Sequence, residues 1–224
     1  MNHVIIVAGG SGKRMGSQVP KQFLLLDDFP ILMRTLNSFS AAIDELYITL
    51  VLPEKQVDQW QELCLNYQFK TPHKIVLGGK ERYHSVKNGL NSIKDQEGIV
   101  AVHDGVRPFV SKEIIKNAFA NAGVLKAVTL SVPLKDSIRE VRGEDSIAVN
   151  RSNYQLIQTP QVFDINLLKQ AFEQPYQQTF TDDASVVESF GHKVHLIQGD
   201  YNNIKITSPE DMIFGKAILN SLAR

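Results

Sequence analysis

Cysteine is almost absent from this sequence. Cys64 is the single cysteine in 224 residues, and the six histidines show no metal-ligand spacing. One cysteine excludes an intramolecular disulfide and any zinc site built from cysteines. This usage is typical of a reducing compartment. We therefore expect a cytoplasmic protein without a metal held by a cage of its own side chains.

The sequence also lacks long apolar runs and any excess of one charge. No segment approaches the roughly 18 apolar residues of a membrane-spanning helix. The apolar start, HVIIVAGG, is too short for a signal peptide and has no basic residues before it. Lys plus Arg and Asp plus Glu number 24 each, so the formal net charge is zero. Neither nucleic acid nor a membrane is predicted as a partner, and any anion site must be local.

Short apolar runs alternate along the chain with amphipathic segments. The runs are continuously apolar, which indicates strands buried on both faces of a parallel sheet. The alternation predicts an α/β fold, a doubly wound and mostly parallel sheet of the Rossmann-like kind, in a single domain over 1–224. The predicted strands are 4–8, 46–52, 73–78, 99–103, 127–132 and 193–197, and the predicted helices are about 30–42, 54–66, 82–95, 111–122, 164–174, 182–190 and 208–222.

The segment 134–152 breaks this alternation. It reads LKDSIREVRGEDSIAVNRS, in which polar and apolar residues alternate around a turn at Arg142-Gly143. This pattern predicts a protruding β-hairpin. A two-stranded ribbon is only marginally stable alone in water. The hairpin therefore either packs on its own sheet or forms an arm that grips a second subunit.

A glycine-rich, basic turn follows the first predicted strand, with the sequence AGGSGKRMGSQVPKQF over 8–23. It is not a P-loop, because Gly12-Lys13 is followed by Arg14, and it is not a dinucleotide fingerprint, because Met15 stands where a glycine is needed. Successive glycines still allow backbone N–H groups to approach a polyphosphate, and nearby cations add positive charge. On its own, the loop fits either a phosphate site or a tight strand-to-helix turn with solvated basic residues.

Further motifs decide between these readings. In order along the chain, they resemble the 2-C-methyl-D-erythritol 4-phosphate cytidylyltransferase family, within the sugar-phosphate nucleotidyltransferases, from about residue 4 to residue 219. The motifs are Gly10-x-Gly12-x-Arg14-Met15 with Pro20-Lys21-Gln22, Gly78-Gly79-Lys80-Glu81-Arg82 with Ser85-Val86, His103-Asp104-Gly105-Val106-Arg107-Pro108, Thr159-Pro160-Gln161, Thr181-Asp182-Asp183-Ala184-Ser185 and Asn203-Ile204-Lys205-Ile206-Thr207.

The resemblance implies a nucleotidyltransferase that joins CTP to 2-C-methyl-D-erythritol 4-phosphate and releases pyrophosphate, in non-mevalonate isoprenoid biosynthesis. It also implies Mg²⁺, bound mainly through the CTP phosphates, and a homodimer formed through the 134–152 arm. A ribitol-5-phosphate cytidylyltransferase is the nearest alternative, and Thr181-Asp182-Asp183-Ala184-Ser185 argues against it. A nucleotide-binding regulator without turnover is a further alternative, against which the set of Arg14, Lys21 and Lys205 argues.

The site residues implied by the resemblance fall into three groups. Arg14 and Lys21 would stabilise the transition state. The CTP contacts would be Ala8, Gly9, Gly10, Gly79, Ser85 and Asp104, and the contacts to the polyol phosphate would be Arg107, Ser137, Arg151, Thr159, Thr181 and Lys205. In this scheme Lys205 positions the attacking phosphate, and Arg151 comes from the partner subunit's arm.

Three of these assignments stay open to a second interpretation. Asp104 is expected to contact either the ribose or a hydrated Mg²⁺, and Asp104 with Arg107 also fits a buried pair that fixes its loop. Gly79 also fits the end of a strand. Thr181 also fits the hydroxyl cap of a helix that continues with two acidic residues.

Overall fold

A computed structural model describes residues 1–10 and 19–222 of the chain. Seven of its strands form one sheet: β1 (Asn2–Val7), β4 (Leu46–Leu52), β5 (Lys74–Leu77), β6 (Ile99–Asp104), β7 (Ala127–Pro133), β10 (Gln155–Asp164) and β11 (His195–Gln198). Their order across the sheet is β11-β7-β10-β6-β1-β4-β5. All neighbouring pairs are parallel except the two that β10 makes, with β6 and β7. The predicted mostly parallel sheet is confirmed.

Helices cover both faces of this sheet, as the doubly wound prediction requires. They are α1 (Ile31–Ala42), α2 (Val57–Asn66), α3 (Arg82–Asn91), α4 (Lys112–Leu125), α5 (Ile165–Ala171), α6 (Asp183–Ser189) and α7 (Pro209–Leu222). Alternate residues of β1 divide between the two faces: Val4 and Ile6 pack with α1, α2 and α4, whereas Ile5 packs with α3, α5 and α6. Sheet strands with two apolar faces therefore account for the continuous apolar runs.

The antiparallel strand β10 is absent from the sequence-based prediction. Its sequence includes Pro160, and proline inside a central strand normally argues against that assignment because it cannot donate to the ladder. In the structure the pairing of β10 with β7 shifts register between Gln158 and Gln161, and the Thr159-Pro160 peptide is cis. The proline therefore lies at a bulge, where a missing N–H is tolerated.

The predicted hairpin is present as β8 (Ile138–Arg142) and β9 (Asp145–Val149), which pair antiparallel in a sheet of their own. Gly143 lies in the connecting turn with φ of +62°, a conformation that favours glycine. Most of the ribbon is exposed, including Val141 at 74% and Ile147 at 42%. The hairpin thus protrudes instead of packing on the central sheet. A shorter hairpin, β2 (Leu25–Leu26) with β3 (Phe29–Pro30), leads into α1.

Candidate active site

An open cleft of about 520 Å³ lies where the parallel strands end. The ends of these strands are in register to within one residue, since Val7 pairs with both Val51 and Asp104, and Leu52 pairs with Leu77 of β5. Ligands in open α/β sheets bind at this carboxyl edge. The cleft is lined by Val7, Ala8, Gly9, Gly10, Lys21, Gln22, Pro53, Glu54, Lys55, Gly78, Gly79, Lys80, Glu81, Arg82, Ser85, Asp104, Val106 and Lys205.

Residues 8–10, where the glycine-rich turn begins, line one wall of the cleft. Lys21 lies beside it, because a Cβ on Gly10 would stand 3.1 Å from Lys21 Cε and 3.5 Å from its Nζ. The buried amide of Gln22 donates to the carbonyl of Ala8 at 2.8 Å and so fixes the start of the turn. The predicted residues Ala8, Gly9, Gly10 and Lys21 therefore share this wall, whereas Arg14 lies outside the described residues.

The loop after β5 forms the facing wall. The N–H of Gly79 donates to Ser85 Oγ at 3.1 Å, which ties the loop to α3. A Cβ on Gly79 would stand only 2.4 Å from the Cβ of His84, so the backbone passes too close to the helix for a larger residue. Two of the six predicted CTP contacts, Gly79 and Ser85, line the cleft on this side. Lys80 lines it as well.

Asp104 lies at the floor of the cleft, at the end of β6. Its Oδ2 is 3.0 Å from Lys205 Nζ and 3.2 Å from Arg107 Nε, and its Oδ1 is 3.9 Å from Arg82 Nε. Burial alone would raise the pKa of this carboxyl, but the positive charges of Arg82, Lys205 and Arg107 outweigh it and hold the pKa well below its usual value. Asp104 is therefore ionised and already paired with cations.

His103, which precedes Asp104, is part of the scaffold. Its ring is fully buried, and Nε2 lies 3.1 Å from the carbonyl of Arg107, to which the neutral ring donates. Burial lowers the pKa of His103 to about 3, so the ring carries no charge at neutral pH. Its hydrogen bond to Arg107 holds the turn from residue 103 to residue 107 on the buried side.

Two predicted substrate contacts have structural partners and do not line the cleft. Besides Asp104, Arg107 bonds the carbonyl of Asn203 through Nη1 at 2.9 Å. Thr159 is 6% exposed, and its hydroxyl accepts from the N–H of Asp104 at 3.1 Å. The interpretation of Arg107 as part of a buried pair that fixes its loop thus has a geometric basis. Roles of both residues in substrate binding stay predictions.

The remaining predicted contacts lie at the edge of the cleft or beyond it. Lys205 lines the cleft, whereas Thr181 is exposed just before α6 and does not cap it. The N-cap is Asp182, whose side chain accepts from the N–H of Ser185 in a capping box. Ser137 and Arg151 are exposed at the base of the hairpin, and Arg151 Nη1 donates to the carbonyl of Lys135. As substrate contacts, these residues too stay predictions.

Sequence reasoning missed the pairing of Arg82 with Asp183. The guanidinium donates from Nη1 and Nη2 to the two carboxylate oxygens at 2.8 and 2.6 Å, and the Asp183 side chain is 1% exposed. Gln161 Oε1 accepts from the N–H groups of Asp183 and Ala184, which secures the same helix start. All of these residues fall within motifs quoted from the sequence, but the residue spacing gives no sign that the motifs meet.

The donors that the cleft offers determine how a magnesium ion could be held there. Within residues 1–10 and 19–222, no group of three or more His, Cys, Asp or Glu side chains is placed to hold a metal ion. Asp104 Oδ1 is the carboxylate oxygen farther from the described cations. This donor set fits an ion that is held chiefly by a ligand's phosphates and water, with at most one carboxylate contact.

The described helices include none that is long and apolar enough to cross a membrane.

Comparison with known proteins agrees with the predicted fold and family. Proteins named 2-C-methyl-D-erythritol 4-phosphate cytidylyltransferase from Phocaeicola vulgatus and Bacteroides fragilis are 48% and 49% identical to this chain, over 97% and 96% of it and 99% and 98% of their own lengths. The structure of a 4-diphosphocytidyl-2C-methyl-D-erythritol synthase from Anaerococcus prevotii superposes with a TM-score of 0.82 at 29% identity, covering 97% of this chain and 95% of that one. The sequence model of the 2-C-methyl-D-erythritol 4-phosphate cytidylyltransferase family matches residues 2–221. The chain therefore belongs to the 2-C-methyl-D-erythritol 4-phosphate cytidylyltransferase family and has its α/β nucleotidyltransferase fold.

Proposed function

We propose that this protein transfers the cytidylyl group of CTP to 2-C-methyl-D-erythritol 4-phosphate and releases pyrophosphate. The observation that carries the proposal is the cleft itself. Its glycine wall with Lys21 faces the Gly79 loop, and Lys205 stands at the edge beside Asp104. A nucleoside triphosphate and a second phosphate would both lie near positive charge there, although the whole chain has no net charge.

In the reaction, a phosphate oxygen of the polyol phosphate attacks the α-phosphorus of CTP. A new P–O bond forms, and the bond to the β-phosphate oxygen breaks, so that pyrophosphate leaves with the electron pair. The nucleophile is already an anion, and catalysis therefore depends on alignment and on charge stabilisation more than on a general base. Lys205 would orient the attacking phosphate, while Lys21 and the predicted Arg14 would stabilise charge that develops on the α-phosphoryl oxygens.

The Gly79 loop is the proposed cytosine contact. Its backbone is fixed by Ser85 and leaves no room for a side chain, so it presents main-chain groups at constant positions. Magnesium bound to the triphosphate would neutralise charge on the phosphates. Asp104 would contact either this hydrated ion or the ribose.

The hairpin 134–152 is proposed as a dimer arm. Its apolar side chains, among them Val141 and Ile147, are exposed, and a ribbon of two strands gains stability only when another surface covers it. Arg151, at its base, does not line the cleft of its own chain as the structure describes it. Both observations support an arm that delivers Arg151 to the partner's site. Cytoplasmic location stays a prediction.

The test is pyrophosphate release by the purified protein. CTP is supplied with 2-C-methyl-D-erythritol 4-phosphate or with ribitol 5-phosphate, each alone, and UTP replaces CTP in a parallel series. We expect rapid release only with CTP and the methylerythritol substrate. Equal or faster release with ribitol 5-phosphate would replace the proposed substrate. CTP binding without release in any mixture would indicate a regulator.

A further inference from the structure

Arg82 lines the cleft but has no place in the mechanism given above. It is the first residue of α3, and its guanidinium faces two carboxylates. Nη1 and Nη2 donate to both oxygens of Asp183, and Nε is 3.9 Å from Asp104 Oδ1. Arg82 thus connects the cleft floor with the start of α6.

This placement is unfavourable for a cation unless it is paired. A positive charge in the first turn of a helix opposes the helix dipole, and partial burial removes it from water. Asp183 compensates on both counts, and its own carboxylate lies favourably at the first turn of α6. Buried ion pairs contribute little stability compared with well-packed apolar residues. What a two-pronged guanidinium–carboxylate contact provides is a fixed orientation.

The two elements that Arg82 joins carry different halves of the proposed site. Residues 78–81, which immediately precede Arg82, form the Gly79 loop, the proposed cytosine contact. This loop is tied to α3 through Ser85. Asp183 follows Thr181, the predicted polyol contact, by two residues. On the floor between them, Asp104 bonds Lys205 at 3.0 Å.

We propose that Arg82 is a positioning residue. Through Asp183 and Asp104, it fixes the Gly79 loop relative to the side of the cleft that takes the polyol phosphate. This inference rests on the proposed function. Each substrate keeps its own contacts when Arg82 is replaced, so binding of CTP alone should change little. Alignment of the attacking oxygen with the α-phosphorus should suffer, and misalignment of about 1 Å lowers rates about 100-fold.

The experiment separates positioning from stability with neutral replacements of both partners. R82Q should lower the Tm, because Asp183 is left buried without its cation. The double variant R82Q/D183N replaces the ion pair with two amides that can bond each other, so most of the Tm should return. We expect kcat of the double variant to remain about 10- to 100-fold below wild type. The Kd for CTP, measured by calorimetry without the second substrate, should stay within about threefold.

Two further variants complete the experiment. R82K keeps the positive charge but loses the two-pronged guanidinium contact, so its kcat should lie above that of R82Q and below that of wild type. R34Q is the matched control: Arg34 donates two hydrogen bonds to the carbonyl of Leu26 and does not line the cleft. This control should lower the Tm and leave kcat unchanged.

Recovery of kcat together with Tm in R82Q/D183N would overturn the proposal, since the pair would then serve stability alone. A Kd for CTP that weakens by as much as kcat/KM falls would also overturn it, and would make Arg82 a nucleotide contact. Wild-type activity is measured first. Its absence with CTP and 2-C-methyl-D-erythritol 4-phosphate overturns the proposed function and this proposal with it, whereas the other two outcomes leave the function standing.

Discussion

Replacing Asp104 with asparagine keeps the size of the side chain and removes its charge. Three cations face this carboxylate: Arg107, Lys205 and Arg82. An asparagine oxygen can still accept from Arg107 and Lys205. The change therefore measures what the negative charge contributes at the floor of the cleft.

The magnitude follows from those contacts. A hydrogen bond to a charged group contributes about 1.5–3 kcal/mol, and the converted bonds keep their charged donors but fall toward the lower end of that range, so each loses about 1 kcal/mol. The Lys205 side chain is 41% exposed, and solvent screening reduces its share. We expect Asp104→Asn to lower the free energy of unfolding by about 1–2 kcal/mol, which is roughly 2–8 °C in Tm for a chain of this size.

The dependence on pH identifies the cause. Because the pKa of Asp104 is lower in the folded protein than in the unfolded chain, where it is about 3.9, the carboxylate stabilises the fold above that value. This stabilisation is lost as pH falls toward the folded-state pKa. The Tm difference between wild type and Asp104→Asn should thus be constant from pH 7 to pH 5 and shrink below about pH 4.

The control is Glu140→Gln in the hairpin, where Glu140 pairs with Arg142 at 3.0 Å but both side chains are about half exposed. Exposed pairs contribute at most about 1 kcal/mol, so its Tm should barely change. Thermal unfolding followed by circular dichroism measures both variants. A Tm difference for Asp104→Asn that is as large at pH 3 as at pH 7 would refute the electrostatic reasoning.

Three further results are expected. Lys21→Ala should lower kcat by roughly 10²–10³ with little change in Tm, whereas Lys80→Ala, in the same cleft, should have a much smaller effect; an effect on KM alone would contradict the role of Lys21. Gly79→Ala should raise the KM for CTP roughly tenfold, since its Cβ would stand 2.4 Å from a side-chain carbon of α3 and displace the loop; unchanged kinetics would exclude the loop as a nucleotide contact. Mixing inactive Lys205→Ala and Arg151→Ala dimers should restore about a quarter of wild-type activity, because half the random dimers are mixed and half of their sites are intact. No recovery despite demonstrated subunit exchange would show that Arg151 does not act across the dimer.

The parallel part of the sheet could be predicted because its strands carry the simplest pattern in the sequence. β1, β4 and β6 are buried on both faces. Continuous apolar runs such as HVIIV and IVAV predict these strands without any knowledge of the strands beside them. The strand β10 has no such mark. Glutamines and Pro160 interrupt it, and only the flanking strands make a bulged, antiparallel strand the favourable arrangement there.

The candidate site divides in the same way. Motifs located most of the residues that line the cleft, since Gly10, Lys21, Gly79 and Lys205 each lie in a recognisable local pattern, whereas the lining residues 53–55 lie in no motif. Contacts between motifs were beyond reach, because Arg82 and Asp183 are separated by 101 positions in the chain. No spacing rule predicts which cation a buried carboxylate will meet across that distance.

Asp104 also affects binding of the second substrate, which a residue that only stabilised the fold would not do. In the free protein it holds Lys205 at 3.0 Å, so an incoming phosphate must compete with a buried carboxylate for the same ammonium group. That competition weakens ground-state binding of the polyol phosphate but keeps Lys205 aimed at the cleft floor before the substrate arrives. Asp104→Asn should therefore lower the KM for the polyol phosphate and lower kcat as well, because the weaker bond to asparagine releases Lys205 to the substrate more readily but holds it less firmly in line. Steady-state kinetics at saturating CTP checks this pair of changes. A KM that rises instead would mean that Asp104 helps to bind the second substrate and does not compete with it.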